Sequence, residues 1–133
     1  MNLNPYLSFK GDCETAFTFY EKTFGGKIDA LIKYAGSPMS DQVPPEWADK
    51  VMHSHLTIGS QVLMGADSPP DSYQQPQGIS VTINLGDVSK AERIFGALAE
   101  GGKVTMPLQQ TFWATRFGMV TDRFGIPWLI NCG

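Results

Sequence analysis

The chain carries one pattern twice. Gly11-Asp12 opens a stretch of helical periodicity that closes on Phe24-Gly25-Gly26-Lys27-Ile28, and Gly86-Asp87 opens a second that closes on Glu100-Gly101-Gly102-Lys103-Val104. Self-similarity at one spacing divides a chain into like structural units. The pattern predicts a first module over residues 1–67 and a second over 78–133, built into a single domain. Paired modules make a seam, and seams between packed units are where small ligands bind. The repeat therefore limits where function sits before anything names the reaction.

Within the first module, Leu3 to Phe9 alternates as a strand, with Tyr6 and Ser8 on one face and Leu7 and Phe9 on the other. Pro5 removes a backbone donor, so that strand has a free side or begins near there. Asp12 is placed to cap the helix that follows. Cys13, Ala16, Phe17, Tyr20 and Phe24 form its apolar stripe, and Gly25-Gly26 ends it. Lys27 to Tyr34 reads as a strand. Residues 35–50 hold Gly36, Pro38, Pro44 and Pro45 and are irregular, with one short turn expected at Pro45-Glu46-Trp47. Trp47 either closes over a ligand or pins this loop down. Val51 to Ile58 and Gln61 to Ala66 are strands joined at Gly59-Ser60. Asp67 to Gln77 reads as a linker, with Asp67, Asp71 and Asp87 as turn or cap residues. The second module repeats the order. Strand Ile79 to Leu85 leads to a helix with the stripe Val88, Ala91, Phe95 and Leu98. Strands Lys103 to Met106, Arg116 to Thr121 and Ile126 to Asn131 follow. Each module is thus βαβββ, an α+β arrangement with one helix on the outer face of a mixed sheet.

Composition removes several functions. A net charge of −3, with Lys and Arg scattered, argues against a nucleic-acid partner, whose phosphates require a basic face. No apolar run approaches the length of a membrane span. Met1 to Pro5 lacks the basic and apolar stretches of a signal peptide. Cys13 and Cys132, the only cysteines, form no metal or redox spacing, which points to free thiols and a cytoplasmic setting. Cys13 stands at the first helical position, where the helix dipole favours a thiolate. Its place on the apolar stripe instead favours simple packing.

The residues able to carry chemistry are few. His53 and His55 are the only histidines and lie two apart on a predicted strand. Alternation puts both on one face, together with Val51 and Thr57. Two imidazoles at that spacing can share a metal, although a third ligand is needed and the sequence fixes no Cys or carboxylate nearby. Either ring also suits a general base near neutral pH. Arg116, close to Trp113 and Phe117, suits a carboxylate or phosphate anchor as well as an ordinary surface arginine. Tyr6 and Trp128 are large rings that would floor a cavity or fill a core.

The doubled βαβββ module resembles the vicinal oxygen chelate superfamily of glyoxalase I, bleomycin-resistance proteins and extradiol dioxygenases. The detailed motifs resemble its PhnB-like branch. These are Pro5-Tyr6-Leu7-Ser8-Phe9, Ala16-Phe17-Thr18-Phe19-Tyr20, Val51-Met52-His53, Gly101 to Leu108, Trp113 with Arg116 to Met119, and Asp122-Arg123-Phe124-Gly125-Ile126-Pro127-Trp128. The resemblance covers nearly the whole chain. It implies that each module curls into half of an open barrel around a ligand. Metal enzymes of the superfamily take four ligands, His or Glu, from the first and last strands of each module. Carried over, these positions fall at or next to Pro5 and Tyr6, Leu63 and Met64, Ser80 and Val81, and Trp128 and Leu129. None of these side chains is an ordinary ligand for a divalent metal. Proteins of the branch are sometimes labelled ubiquinone-precursor methyltransferases, but no segment here resembles an S-adenosylmethionine site.

The expectation is therefore a PhnB-like protein that binds a small organic molecule in the inter-module cavity without the usual metal, and that forms a homodimer. Tyr6, His53, His55, Trp113, Arg116 and Trp128 are the candidate lining residues. No cofactor is expected, and a divalent metal stays open only through His53 and His55. Two alternatives stand beside this reading: a lyase or isomerase using His53 or His55 as base or metal ligand, and a drug-sequestering resistance protein.

Overall fold

The computed structural model describes residues 1–133 and divides into two compact units, Met1–Gln75 and Pro76–Gly133. In the first, β1 (Tyr6–Phe9), α1 (Cys13–Phe24), β2 (Lys27–Lys33), β3 (Val51–Ile58) and β4 (Gln61–Asp67) follow in order, and the sheet runs β1-β4-β3-β2. In the second, β5 (Val81–Leu85), α2 (Val88–Ala99), β6 (Lys103–Gln109), β7 (Arg116–Thr121) and β8 (Pro127–Cys132) give the same order, β5-β8-β7-β6. In each sheet the first pair is parallel and the other two pairs are antiparallel. The expected α+β fold of two βαβββ modules is met. No helix is long and apolar enough to cross a membrane.

The repeated Gly-Gly pairs do two different jobs. Gly25 and Gly101 adopt positive φ, 75° and 71°, the left-handed turn that closes each helix. Gly26 and Gly102 are needed for space. A Cβ on Gly26 would lie 2.6 Å from the Thr57 carbonyl oxygen, and one on Gly102 would lie 2.3 Å from that of Thr121. Gly102→Ala is expected to cost about 1–3 kcal/mol in urea unfolding through overpacking against fixed backbone. Gly96→Ala, on an α2 position with open space around it, should instead stabilise by about 0.5–1 kcal/mol through helix propensity.

Each helix packs its stripe on one side of its sheet. Cys13, Ala16, Phe17 and Tyr20 are buried on α1, and Ala91, Ile94, Phe95 and Leu98 on α2. A Cβ on Gly65 would strike the Phe17 ring at 2.8 Å, and one on Gly118 the Phe95 ring at 2.7 Å. These contacts mark the helix-covered faces, and cross-strand partners share a face. Leu56 and Ser54 therefore lie under α1, and Trp128, Ile130 and Cys132 lie under α2.

Several expectations need correction. The side chain of Asp12 makes no capping bond to α1. The distant Asp67 does that work instead. Its Oδ1 accepts from the backbone N–H of Gly11 (3.0 Å) and Cys13 (2.9 Å), and its Oδ2 accepts from Val51 (2.9 Å). Asp67 is thus a buried junction joining three segments rather than a linker residue. At α2 the expected cap holds, with Asp87 accepting from the Lys90 N–H. Val51 does not share a face with the histidines. The β2–β3 register slips between Ile32 and Lys33, and Val51 turns into the core. Strand β6 runs on to Gln109 through Pro107, which an edge strand tolerates. Trp47 is buried and pins its loop, while Lys50 donates from Nζ to the Gly11 carbonyl. Burial first, then the charges of Asp67, Asp12 and Glu14, push the Cys13 thiol far up, so desolvation overrides the helix dipole.

Candidate functional site

The side of the first sheet turned away from α1 brings three of the sequence-selected residues together. Register places Tyr6 beside Met64, Met64 beside His55 and His55 beside Ala30, in one row across four strands. His53 pairs with Ile32 on the same face, and its ring centroid lies 6.0 Å from that of Tyr6. Partial burial, with smaller contributions from Cys13 and Tyr34, raises the Tyr6 phenol above its usual value. The Tyr6 hydroxyl is thus a hydrogen-bond donor at neutral pH.

The sequence reading missed the residue that completes this group. A slip in the β2–β3 register falls between Ile28 and Ala30, and Asp29 stands at that irregularity. One carboxylate oxygen of Asp29 meets Nδ1 of His55, and the other accepts from the Thr57 hydroxyl at 2.6 Å. The Thr57 hydrogen bond, followed by that from His55, holds the Asp29 carboxyl below the ordinary carboxylate range. An ionised carboxylate only accepts, so Nδ1 of His55 must donate, and Nε2 is the ring nitrogen left for another group. The usable signal was that β2 is the only neighbour of β3 besides β4 and carries a single acid, but the bulge that aims it is a tertiary feature.

The other candidates lie elsewhere. Arg116 pairs across the sheet with Cys132 and stands on the α2 side, where its Nε lies 3.4 Å from Glu92 Oε1. It ties β7 to α2. Trp128 is 2% exposed, and its indole N–H donates to Asp122 Oδ2 at 2.8 Å, so it packs the core of the second unit. Trp113 is half-exposed in the second unit, edge-on to Phe112 at 4.7 Å and to Phe117 at 5.1 Å.

The superfamily's metal positions are adjacent in space within each unit, since Tyr6 neighbours Met64 and Val81 neighbours Trp128. A phenol, a thioether, an aliphatic group and a hydrogen-bonded indole do not fit a divalent metal there. No three His, Cys, Asp or Glu side chains gather in a group able to hold one.

Comparison with known proteins agrees with this architecture. The family described as 3-demethylubiquinone-9 3-methyltransferase matches residues 1–131. Protein YjdN of Escherichia coli (strain K12) is 35% identical, over 98% of this chain and 95% of its own. The crystal structure of protein PA1353 from Pseudomonas aeruginosa is 45% identical with a TM-score of 0.91, covering 99% of this chain and 97% of that one. A PhnB protein from Bacillus cereus, 24% identical and covering 100% of both chains, shares the fold at a TM-score of 0.84. With these matches running along the doubled βαβββ modules, the chain belongs to the family described as 3-demethylubiquinone-9 3-methyltransferase.

Proposed function

We infer that the chain binds a small organic molecule on the uncovered face of its first sheet, without a metal at the superfamily's usual positions. One observation carries this reading. Tyr6, His53, His55, Asp29 and Thr57 converge on a face that also carries Met64, Ala30 and Ile32, apolar side chains that are incompletely buried. Binding sites combine largely apolar surface with a few fixed polar groups in this way. The carboxylate-held His55 favours a second reading over passive sequestration, a lyase or isomerase with His55 as base, because sequestration requires no oriented imidazole. The free, buried thiols of Cys13 and Cys132 suit a cytoplasmic setting. A second copy of the chain is the expected partner, supported by the exposed ring of Phe112 (97%) beside Trp113.

Titration with a panel of small organic acids and drugs, followed by NMR, tests the binding. Shifts should concentrate on the Met64 methyl and on the rings of Tyr6, His53 and His55. Shifts confined to other methyl groups, or none across the panel, sink the reading. Stoichiometric Zn²⁺ that survives dialysis in the wild type and is lost in His55→Ala would overturn the metal-free part, and light scattering on the same samples reads the dimer.

A further inference from the structure

We propose that Asp29 and Thr57 fix His55 as a proton acceptor at Nε2, and that the molecule it takes is a weakly acidic aromatic, a phenol. The inference rests on the binding reading above and specifies its ligand. Three features of the face carry it.

The first is orientation. Asp29 is itself held at two points, by Nδ1 of His55 and by the Thr57 hydroxyl. In its neutral form the His55 ring is therefore set in one tautomer, with the proton on Nδ1 and Nε2 able to accept. A carboxylate behind an imidazole also stabilises the imidazolium that forms when a proton arrives. The second is access. The His55 side chain is 31% exposed and that of Asp29 42%, so the pair is reachable from solvent rather than sealed into the core. The third is the neighbourhood. His53 and Tyr6 offer two ring systems already leaning on each other, 6.0 Å apart with 35° between their planes. Met64 lies between Tyr6 and His55 in the cross-strand row. Residues two apart on a strand are separated by about 7 Å. A six-membered ring lying against His53 and Tyr6 covers a span of that order, so a hydroxyl on its edge is placed to meet His55 in a hydrogen bond. Aromatic and thioether surface favours the ring, and the oriented base favours its acidic hydroxyl. The proton passes from the phenol oxygen to Nε2 of His55. The electron pair of the O–H bond stays on oxygen as phenolate, and the phenolate is held by the imidazolium.

The test uses 4-nitrophenol, which absorbs visible light strongly only as its phenolate. At a fixed pH near the probe's own pKa, adding wild-type protein should raise the phenolate band and shift the Met64 methyl and Tyr6 ring signals together. His55→Gln, which keeps side-chain bulk on an incompletely buried site, should abolish the rise in phenolate and weaken binding about tenfold, the loss of one charge-assisted hydrogen bond. Asp29→Asn should reduce the phenolate signal, and long-range ¹H–¹⁵N spectra should show His55 leaving the Nδ1–H tautomer. That spectral change marks Asp29 as a positioning residue, because a merely structural role would leave the tautomer unmoved. If Met64 and Tyr6 shift equally in wild type and His55→Gln with no phenolate rise in either, the proton-acceptor inference is overturned while the binding reading stands. If no signal on this face moves with 4-nitrophenol but another small organic acid shifts it, the phenol inference is overturned and the binding reading stands; if none moves it, both fail.

Discussion

Asp67→Ala is expected to destabilise the first unit by about 4 kcal/mol. The carboxylate of Asp67 is buried and accepts from three backbone donors, the N–H groups of Gly11, Cys13 and Val51. Alanine leaves all three donors without it, two of them buried and that of Gly11 partly so, and each unsatisfied buried donor costs about 1–3 kcal/mol. Partial relaxation and water entry keep the sum toward the lower end. The three donors also belong to different places: the turn before α1, its first residue and the start of β3. No single backbone shift can satisfy them together. The Asp67 carbonyl is tied in as well, accepting from the Tyr34 hydroxyl at 2.9 Å. Asp87→Ala provides the comparison. Asp87 is an exposed cap with one bond to the Lys90 N–H, and its loss should cost about 1 kcal/mol. Urea unfolding of both variants tests the contrast. A cost for Asp67→Ala no greater than that for Asp87→Ala would show that the junction contributes nothing beyond an ordinary cap.

That contrast also explains what the sequence made legible. Asp87 was readable because its partner lies three residues along the chain and cap chemistry is local. Asp67 was not, because its donors lie 56, 54 and 16 residues away. The same division runs through the fold. The helices, their apolar stripes and their left-handed Gly25 and Gly101 ends depend on short-range periodicity and on glycine's access to positive φ. Strand β6 outruns the expected end at Met106 and continues through Pro107, a residue that in general argues against a strand. That objection lapses only at a sheet edge, and which strand is an edge is set by the whole topology.

The candidate site divides in the same way. That His53 and His55 share a face follows from strand alternation alone. That Tyr6 stands beside His53 required the parallel β1–β4 register. Asp29 required the register slip between Ile28 and Ala30 in the β2–β3 pair, and no periodicity in the chain announces it. The placement of Arg116 has a related reason. Its aromatic neighbours Trp113 and Phe117 suggested a shared pocket, but adjacent residues on a strand face opposite ways, so Phe117 and Arg116 are separated by the sheet itself.

Trp128 provides the second large expected effect and separates a packing role from a binding one. Trp128→Phe should cost about 2 kcal/mol, through loss of the indole donor and part of the buried ring. Asp122→Ala should cost about 3 kcal/mol, because its Oδ1 also accepts from the Phe124 and Ile126 N–H groups at 2.9 and 3.0 Å. The two residues meet at 2.8 Å through Nε1 and Oδ2, so their effects should not add. Once Asp122 is gone the indole has lost that acceptor, and replacing it costs only its packing. The double variant is therefore expected to fall short of the sum by about 1–2 kcal/mol, well outside the roughly 0.5 kcal/mol within which independent sites add. Additivity within that margin would mean the indole–carboxylate bond contributes nothing to stability. The same variants decide where Trp128 acts. A ring that floors a ligand site would change affinity for a bound phenol and leave unfolding almost untouched. A ring locked under α2 by Asp122 should do the reverse, shifting the urea midpoint while leaving the Met64 and His55 signals of the first sheet, and their response to 4-nitrophenol, where they are in the wild type.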